Sequence, residues 1–255
     1  MNRVAHSRVR VMLRMCLLAL GLCALTARPL LAEPLRLGTY HIPDMVEDDQ
    51  HGLFIELTRE IVRRTHLDIE IVLMPTVRTL VAFEHNEIDG YFPALDTTLP
   101  KPAIASTRFY TKRDFAFVRQ GEDIPGSIAE LAGMSVGLTA GYPYAQAITN
   151  NPGITLEYAQ SDELNVRKLL ARRFDVFIVE EYSGRQALLS VGAGDAVRYN
   201  PNAPLSEQAV YYALQENEKG RIAAKKISAA IDAMRHDGSL ARIMARAARG
   251  HSGKK

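Results

Sequence analysis

The sequence has 255 residues, of which 47% are hydrophobic and 24% are charged, and it contains no tryptophan. This composition is typical of a globular protein and excludes collagen-like, disordered and polytopic membrane classes. Residues 1–32 carry five arginines but no lysine and no acid, so 26 of the 31 basic residues remain against 29 acidic ones, a formal charge of −3. A nucleic-acid partner requires a concentrated basic surface, which this balance does not predict.

Residues 1–32 have the layout of a secretory signal peptide. A basic segment, Met1–Arg14, precedes an apolar run of 13 residues, Met15–Ala27. This run is shorter than the roughly 20 residues of a membrane-spanning helix, and an uncleaved anchor is the less favoured alternative. Since Cys16 and Cys23 both lie in this segment, we expect an exported, periplasmic chain without disulfides or thiol chemistry.

Beyond the signal segment, the hydrophobic pattern alternates between the period of strands and that of helices. In chain order, the predicted elements are strand Leu35–Thr39, a helix from Leu53, strand Ile69–Leu73, a helix over 77–84, strand Ile88–Ala94, a capping box at Ser127–Glu130, strand Met134–Leu138, a helix after Gly141, a helix around 164–170, strand Val176–Val179 and two helices over 222–234 and 240–244. Two extended stretches, Asp114–Arg119 and Gln208–Leu214, connect the halves. This order predicts an α/β protein of two lobes joined by two crossings.

Motifs of catalysis and of metal binding are largely missing from the sequence. It has no HExxH, no paired metal-ligand spacing and no phosphate-binding GxxxxGK. The segment Gly137–Gly141 imitates a nucleophile elbow with Thr139 in the central place, but a strand-to-helix turn needs these glycines for backbone reasons. We therefore predict no catalytic residue, no metal and no cofactor.

Six short motifs occur in the order that one protein family shows. They are Gly52–Leu57, Glu87–Gly90 followed by Thr97-Thr98, Ser106 with Phe109-Tyr110, Leu131–Gly137, Arg173–Phe177 and His236–Ile243. Together they resemble the family 3 extracellular solute-binding proteins, the polar amino-acid-binding components of bacterial ABC importers.

This resemblance implies a type II periplasmic binding protein fold, in which two α/β lobes hinge on two crossing strands and close on a small ligand. It places lobe 1 at 33–116 and 209–255 and lobe 2 at 117–208. The implied partners are an amino-acid-like small molecule and an inner-membrane ABC permease. A monomer is the expected state.

The resemblance also implies ligand-binding residues. The family binds an α-carboxylate through an arginine three residues after the second threonine of its loop, and counting from Thr98 that place holds Lys101. Lysine keeps the charge but loses the two-pronged geometry of arginine. Asp96 stands at a family threonine or serine position and would repel a carboxylate or pair with Lys101. Arg78 is a candidate replacement cation.

Four more residues complete the implied site. Gly141 and Tyr142 stand at a helix-start turn whose amides would receive an anion. Glu180 corresponds to the family's ammonium-binding aspartate, and Tyr40 matches an aromatic position that stacks on the ligand.

Three functions remain open at this point. The favoured one is a periplasmic solute receptor for a small polar or zwitterionic ligand. The second is an enzyme on the same scaffold, such as a dehydratase of a prephenate-like substrate (cyclohexadienyl dehydratase-like), with Glu180, Asp96 or His41 as the general acid. The third is a ligand sensor or an accessory protein of a periplasmic redox system.

Overall fold

The computed structural model describes residues 33–96 and 99–247. The predicted signal peptide and Thr98 therefore lie outside the described residues. Within these two ranges, no helix combines the length and the apolar character that a bilayer crossing requires.

The described residues form ten strands that pair as one mixed sheet. The strands are β1 Leu35–Thr39, β2 Ile69–Leu73, β3 Gly90–Leu95, β4 Ile104–Ala105, β5 Tyr110–Arg119, β6 Ser135–Thr139, β7 Thr155–Ala159, β8 Val176–Glu180, β9 Val197–Arg198 and β10 Ser206–Leu214. Their order is β2-β1-β3-β10-β5-β8-β6-β7, with β4 paired to β10 and β9 paired to β5.

Helices cover the sheet. They are α1 Leu53–Thr65, α2 Thr76–Glu84, α3 Gln146–Thr149, α4 Asp162–Leu170, α5 Glu181–Val191, α6 Glu218–His236 and α7 Ser239–Ala247, with a 3₁₀ turn at Ile128–Leu131. In α1 the helical spacing places Leu53, Phe54, Leu57 and Ile61 on the buried face, as the periodicity predicts.

Two long strands connect the two ends of the sheet. β5 and β10 are antiparallel, with Asp114 opposite Ser206 and Tyr110 opposite Val210. β10 continues to β3 on one side, and β5 continues to β8 on the other. The predicted crossings Asp114–Arg119 and Gln208–Leu214 thus lie within these two strands, and the α/β fold class with two crossings is confirmed.

The hydrophobic core divides along the chain. Two clusters draw their buried residues from 35–109 and 210–243. Two others draw theirs from 115–205. Each group of clusters lies on its own part of the sheet, and β5 and β10 run from one part to the other.

Local expectations differ from the structure in several places, among them the helix α5, which was not predicted. The predicted capping box at Ser127–Glu130 is wrong: Ser127 makes no cap bond, the helix is one 3₁₀ turn, and the Glu130 carboxylate instead accepts from Gly126 N (3.0 Å) and Ser127 Oγ (2.8 Å). β3 begins at Gly90 rather than Ile88. β7 has no counterpart in the sequence prediction, and of its residues only Ala159 is buried.

Candidate functional site

A cavity with an empty volume of about 590 Å³ lies where the two groups of core clusters meet. Apolar side chains of the first group form one wall, with Met45, Phe54, Leu95 and Val210 among them. Tyr142 and Pro143 face it from the loop that follows β6.

Glu180 supplies the carboxylate of the cavity. It ends β8 and is the N-cap of α5, so its Oε2 accepts from the backbone N of Ser183 at 3.0 Å. The N–H of Tyr182 donates to the same carboxylate, and Tyr110 Oη donates to Oε1 at 2.9 Å. The side chain is buried, and this desolvation raises its pKa although the hydrogen bonds and Lys112 act in the opposite direction.

Gly184 lets α5 begin close to the sheet. A Cβ at this position would stand 2.6 Å from both Phe117 Cζ and Val179 Cγ1. Because glycine removes that overlap, the first turn of α5 packs directly on β5 and β8. This close approach brings Ser183, which lines the cavity, beside Glu180.

Lys112 is the cation of the cavity lining, and it is already paired. Its Nζ forms an ion pair with Asp114 and donates to Gln208 Oε1 at 3.3 Å. The ammonium also lies 5.2 Å from the ring centre of Tyr144. Asp114 has no solvent exposure and receives a second hydrogen bond from Ser206 Oγ at 2.8 Å. The charge of Lys112 is therefore balanced within the protein.

The hydroxyls of the cavity tyrosines are directed to protein acceptors. Tyr40 Oη donates to the carbonyl of Pro93 at 3.1 Å. Tyr142 hydrogen-bonds Asp162, just as Tyr110 bonds Glu180. These hydroxyls are therefore already hydrogen-bonded within the protein, and the rings contribute aromatic surface to the lining.

Asp162 anchors a buried polar network behind Tyr142. Its Oδ1 accepts from Thr139 Oγ1, whose oxygen in turn accepts from Asn165 Nδ2 at 2.9 Å. Burial raises the pKa of Asp162 to about 6, against the lowering effect of the Thr139 and Tyr142 hydrogen bonds. Near neutral pH this carboxylate is at the edge of its titration.

The structure brings together three of the sequence-predicted site residues: Tyr40, Tyr142 and Glu180 line the cavity. Arg78, Asp96 and Lys101 are exposed and are not among its described lining residues. Asp96 and Lys101 form no ion pair with each other within the described ranges. The position of Thr98 is not described.

Gly141 occupies a left-handed turn rather than a helix start. It is exposed, has φ of +81°, and a Cβ there would meet nothing within 4 Å. The expected helix begins only at Gln146 and has four residues. The prediction of a helix N-terminus at Gly141 and Tyr142 is therefore wrong, because the N–H of Tyr142 closes a turn on the carbonyl of Thr139 at 3.3 Å instead.

Tyr110 and Lys112 line the cavity but were not among the site residues expected from the sequence. They precede Asp114 in β5, and alternate residues of a strand point to the same face. Extending the predicted crossing by four residues would have placed all three side chains on one face. The mixture of polar and charged residues over 110–114 concealed the strand.

The candidate metal ligands and His41 were also located among the described residues. No group of three His, Cys, Asp or Glu side chains there is arranged to hold a metal ion. His41, a candidate general acid, is exposed, and its Nε2 lies 3.4 Å from Glu47 Oε2.

No protein-family profile and no curated protein matches the sequence. Solved structures do match. The GluR0 ligand-binding core from Nostoc punctiforme, in complex with L-glutamate, is 20% identical with a TM-score of 0.68, over 84% of this chain and 98% of that one. AbpA from Streptococcus pneumoniae, an amino acid ABC transporter substrate-binding protein bound to L-arginine, is 18% identical with a TM-score of 0.64, over 84% and 94%. An ancestral arginine-binding protein bound to arginine is 18% identical with a TM-score of 0.63, over 82% and 96%.

The chain has the fold of the two-lobed periplasmic binding proteins. The coverage of nearly the full length of each neighbour means that this binding-protein fold is complete in the chain. At these identities the likeness establishes the fold, and the ligand must be argued from the cavity.

Proposed function

We propose that the protein is a family 3 periplasmic solute-binding protein that captures a small ligand between two lobes and delivers it to an ABC-type permease. The observation that carries this proposal is the cavity, which combines a buried carboxylate at Glu180 with aromatic walls. Convergent polar groups in an apolar pocket are the usual form of a small-molecule site.

The proposed lobes are 33–116 with 209–255, and 117–208. The division of the hydrophobic core into two groups of clusters supports these boundaries. Tyr40 and Tyr142 then approach the ligand from opposite lobes. Closure of the lobes would shield the ligand from water. We propose that the receptor acts in the periplasm as a monomer.

A thermal-shift screen of the mature protein tests ligand capture. Amino acids, opines, small organic acids and amines are each tested near 1 mM. A ligand at about 100 times its Kd adds roughly 2.7 kcal/mol to the free energy of unfolding, and an increase in Tm of several degrees is expected for the true ligand.

Two variants of α5 show whether the ligand occupies this cavity. Ser183→Phe fills the cavity from its lining, and we expect it to abolish the shift. Ser190→Phe, at an exposed position of the same helix, should retain the shift. Equal shifts in both variants would place the ligand elsewhere, and no shift for any compound with folded protein would contradict the proposed function.

Delivery to a permease is tested separately in cells. Uptake of the compound found in the screen should be lost when the gene is deleted and restored by the full chain. Uptake that persists after deletion would favour the sensor or accessory role.

An enzyme on the same scaffold is the second candidate, because burial raises the pKa of Glu180 and a raised pKa is what a carboxylic general acid needs. Turnover of any compound that shifts Tm, followed by product analysis, distinguishes this candidate from the receptor.

A further inference from the structure

The balance of charge around the cavity defines a class of ligand. Lys112 is matched by Asp114 in an ion pair whose carboxylate is fully buried. Glu180 is left as the charge without a partner: within the described ranges, no lysine, arginine or histidine nitrogen lies within 4 Å of its carboxylate. A buried charge is costly unless it is paired.

The hydrogen-bonding capacity of Glu180 is almost used. A carboxylate has about four lone-pair sites, and Tyr110, Tyr182 and Ser183 each donate to one. One acceptor position remains, which suits a single N–H of an ammonium group. The rest of that ammonium would meet the rings of Tyr40, Tyr110 and Tyr142, and aromatic faces attract cations.

A carboxylate on the ligand finds no equivalent partner. Arg78 and Lys101, the cations suggested by sequence, are exposed and do not line the cavity. Two of the three N–H groups of Lys112 are directed to Asp114 and Gln208. An α-carboxylate would thus be desolvated beside Glu180, and the described cations of the lining could offer it at most the third N–H of Lys112.

We infer that the ligand is a monocationic amine with an apolar body and without a carboxylate. The inference rests on the proposed function and narrows its ligand from amino acids to amines. It uses the ammonium group that Glu180 can neutralise, the aromatic and aliphatic walls that can cover the body, and the absence of an unpaired cation in the described lining.

Matched pairs of compounds test the inference, because each amino acid has an amine that differs only by the carboxylate. Binding is measured by calorimetry for phenethylamine and phenylalanine, tyramine and tyrosine, and isoamylamine and leucine. We expect at least one amine to bind, at least tenfold more tightly than its amino acid. 2-Phenylethanol, which has the same body and no charge, should bind more weakly than phenethylamine.

Two neighbouring glutamates provide a variant and its control. Glu180→Gln keeps the shape and removes the charge, and we expect at least a tenfold loss of amine affinity. Glu181→Gln changes a residue that accepts from Tyr199 Oη at 2.7 Å and does not line the cavity, so affinity should be unchanged. Circular dichroism and Tm confirm that both variants are folded.

The outcomes separate the inference from the proposed function. If an amino acid binds more tightly than its amine in every pair that binds, the inference is wrong while the receptor function stands. An equal loss of affinity in both variants, or none in either, would also overturn it. If neither these pairs nor the wider screen shows any binding to folded protein, both proposals fail.

Discussion

The hydroxyl of Tyr110 donates to Oε1 of Glu180 at 2.9 Å, which links the start of β5 to the residue that caps α5. The two residues are 70 positions apart in sequence. This hydrogen bond keeps the Glu180 carboxylate, which has no cationic partner among the described residues, in a fixed orientation, while the ring of Tyr110 packs edge-on against Phe54 at 5.6 Å.

Removing the hydroxyl of Tyr110 should reduce amine affinity without abolishing binding. Tyr110→Phe keeps the ring and leaves an oxygen of Glu180 short of a donor, so we expect stability to fall by about 1–2 kcal/mol and amine affinity to fall several-fold. Denaturant unfolding and calorimetry measure the two effects. Tyr158→Phe, on a half-exposed ring at 53%, is the control and should change neither.

Loss of the Lys112–Asp114 ion pair should destabilise the protein far more than loss of the neighbouring Arg113–Glu207 ion pair. Lys112→Met leaves a buried carboxylate unpaired, which costs about 3–5 kcal/mol. Arg113→Met removes the ion pair with Glu207, whose side chains are both 53% exposed, and should cost at most about 1 kcal/mol. Urea unfolding of both variants measures the difference, and similar losses would show that Lys112 is not balanced by Asp114.

The double variant Lys112→Met/Asp114→Asn examines the same pair for its effect on binding. It should recover much of the stability lost in Lys112→Met, because no unpaired charge remains. Affinity for phenethylamine should be retained or increased, since the competing cation near Glu180 is gone. A marked loss of affinity would indicate that Lys112 contacts the ligand directly.

Asp162 should make the protein less stable as the pH rises. Its pKa is raised by burial to about 6, so between about pH 4 and pH 6 the folded state holds more protons than the unfolded state and loses stability with increasing pH. Asp162→Asn removes this pH dependence. The free energy of unfolding of the variant, relative to that of the wild type, should therefore increase by up to about 3 kcal/mol between pH 4 and pH 7.5. A pH-independent difference between the two proteins would contradict the prediction.

As the pH falls, amine binding should weaken at a higher pH than it would if Glu180 had the ordinary pKa of a glutamate. Because burial raises the pKa of Glu180 above 4.5, its charge is lost at a higher pH, and with it the attraction for a cation. Calorimetry of phenethylamine from pH 8 to pH 5 follows the loss. The control is Glu180→Gln, whose weaker binding should not vary with pH in this range. The exception is any effect that the titration of Asp162 has on its hydrogen-bond partner Tyr142.

Periodicity was enough to find most of the fold. The helix from Leu53 and the strand Val176–Val179 have patterns set by burial against one core, which is what periodicity reports. The turn at Gly141 and the one-turn helix after it depend on contacts with other segments, so their geometry could not be read from local sequence. β5 was recognised only from Asp114 because its first residues face the cavity instead of a core.

The site was harder to predict for a related reason. Tyr40, Tyr142 and Glu180 were identified because the resemblance to a family aligned them with ligand contacts, and these three line the cavity. Lys101 was selected by its position three residues after Thr98 and Arg78 for its charge, and the structure leaves both exposed. Hydrogen bonding across strands, as between Lys112 and Gln208, cannot be seen along the chain.

The cavity joins segments that are remote along the chain, from Tyr40 through Tyr142 to Val210. Contacts of such long separation complete late in folding, when the loops between them have closed. A bound ligand would therefore slow the unfolding rate and leave the rate of folding nearly unchanged. The protein would bind its ligand only after both halves have folded, and the bound ligand would increase the kinetic stability of the folded state.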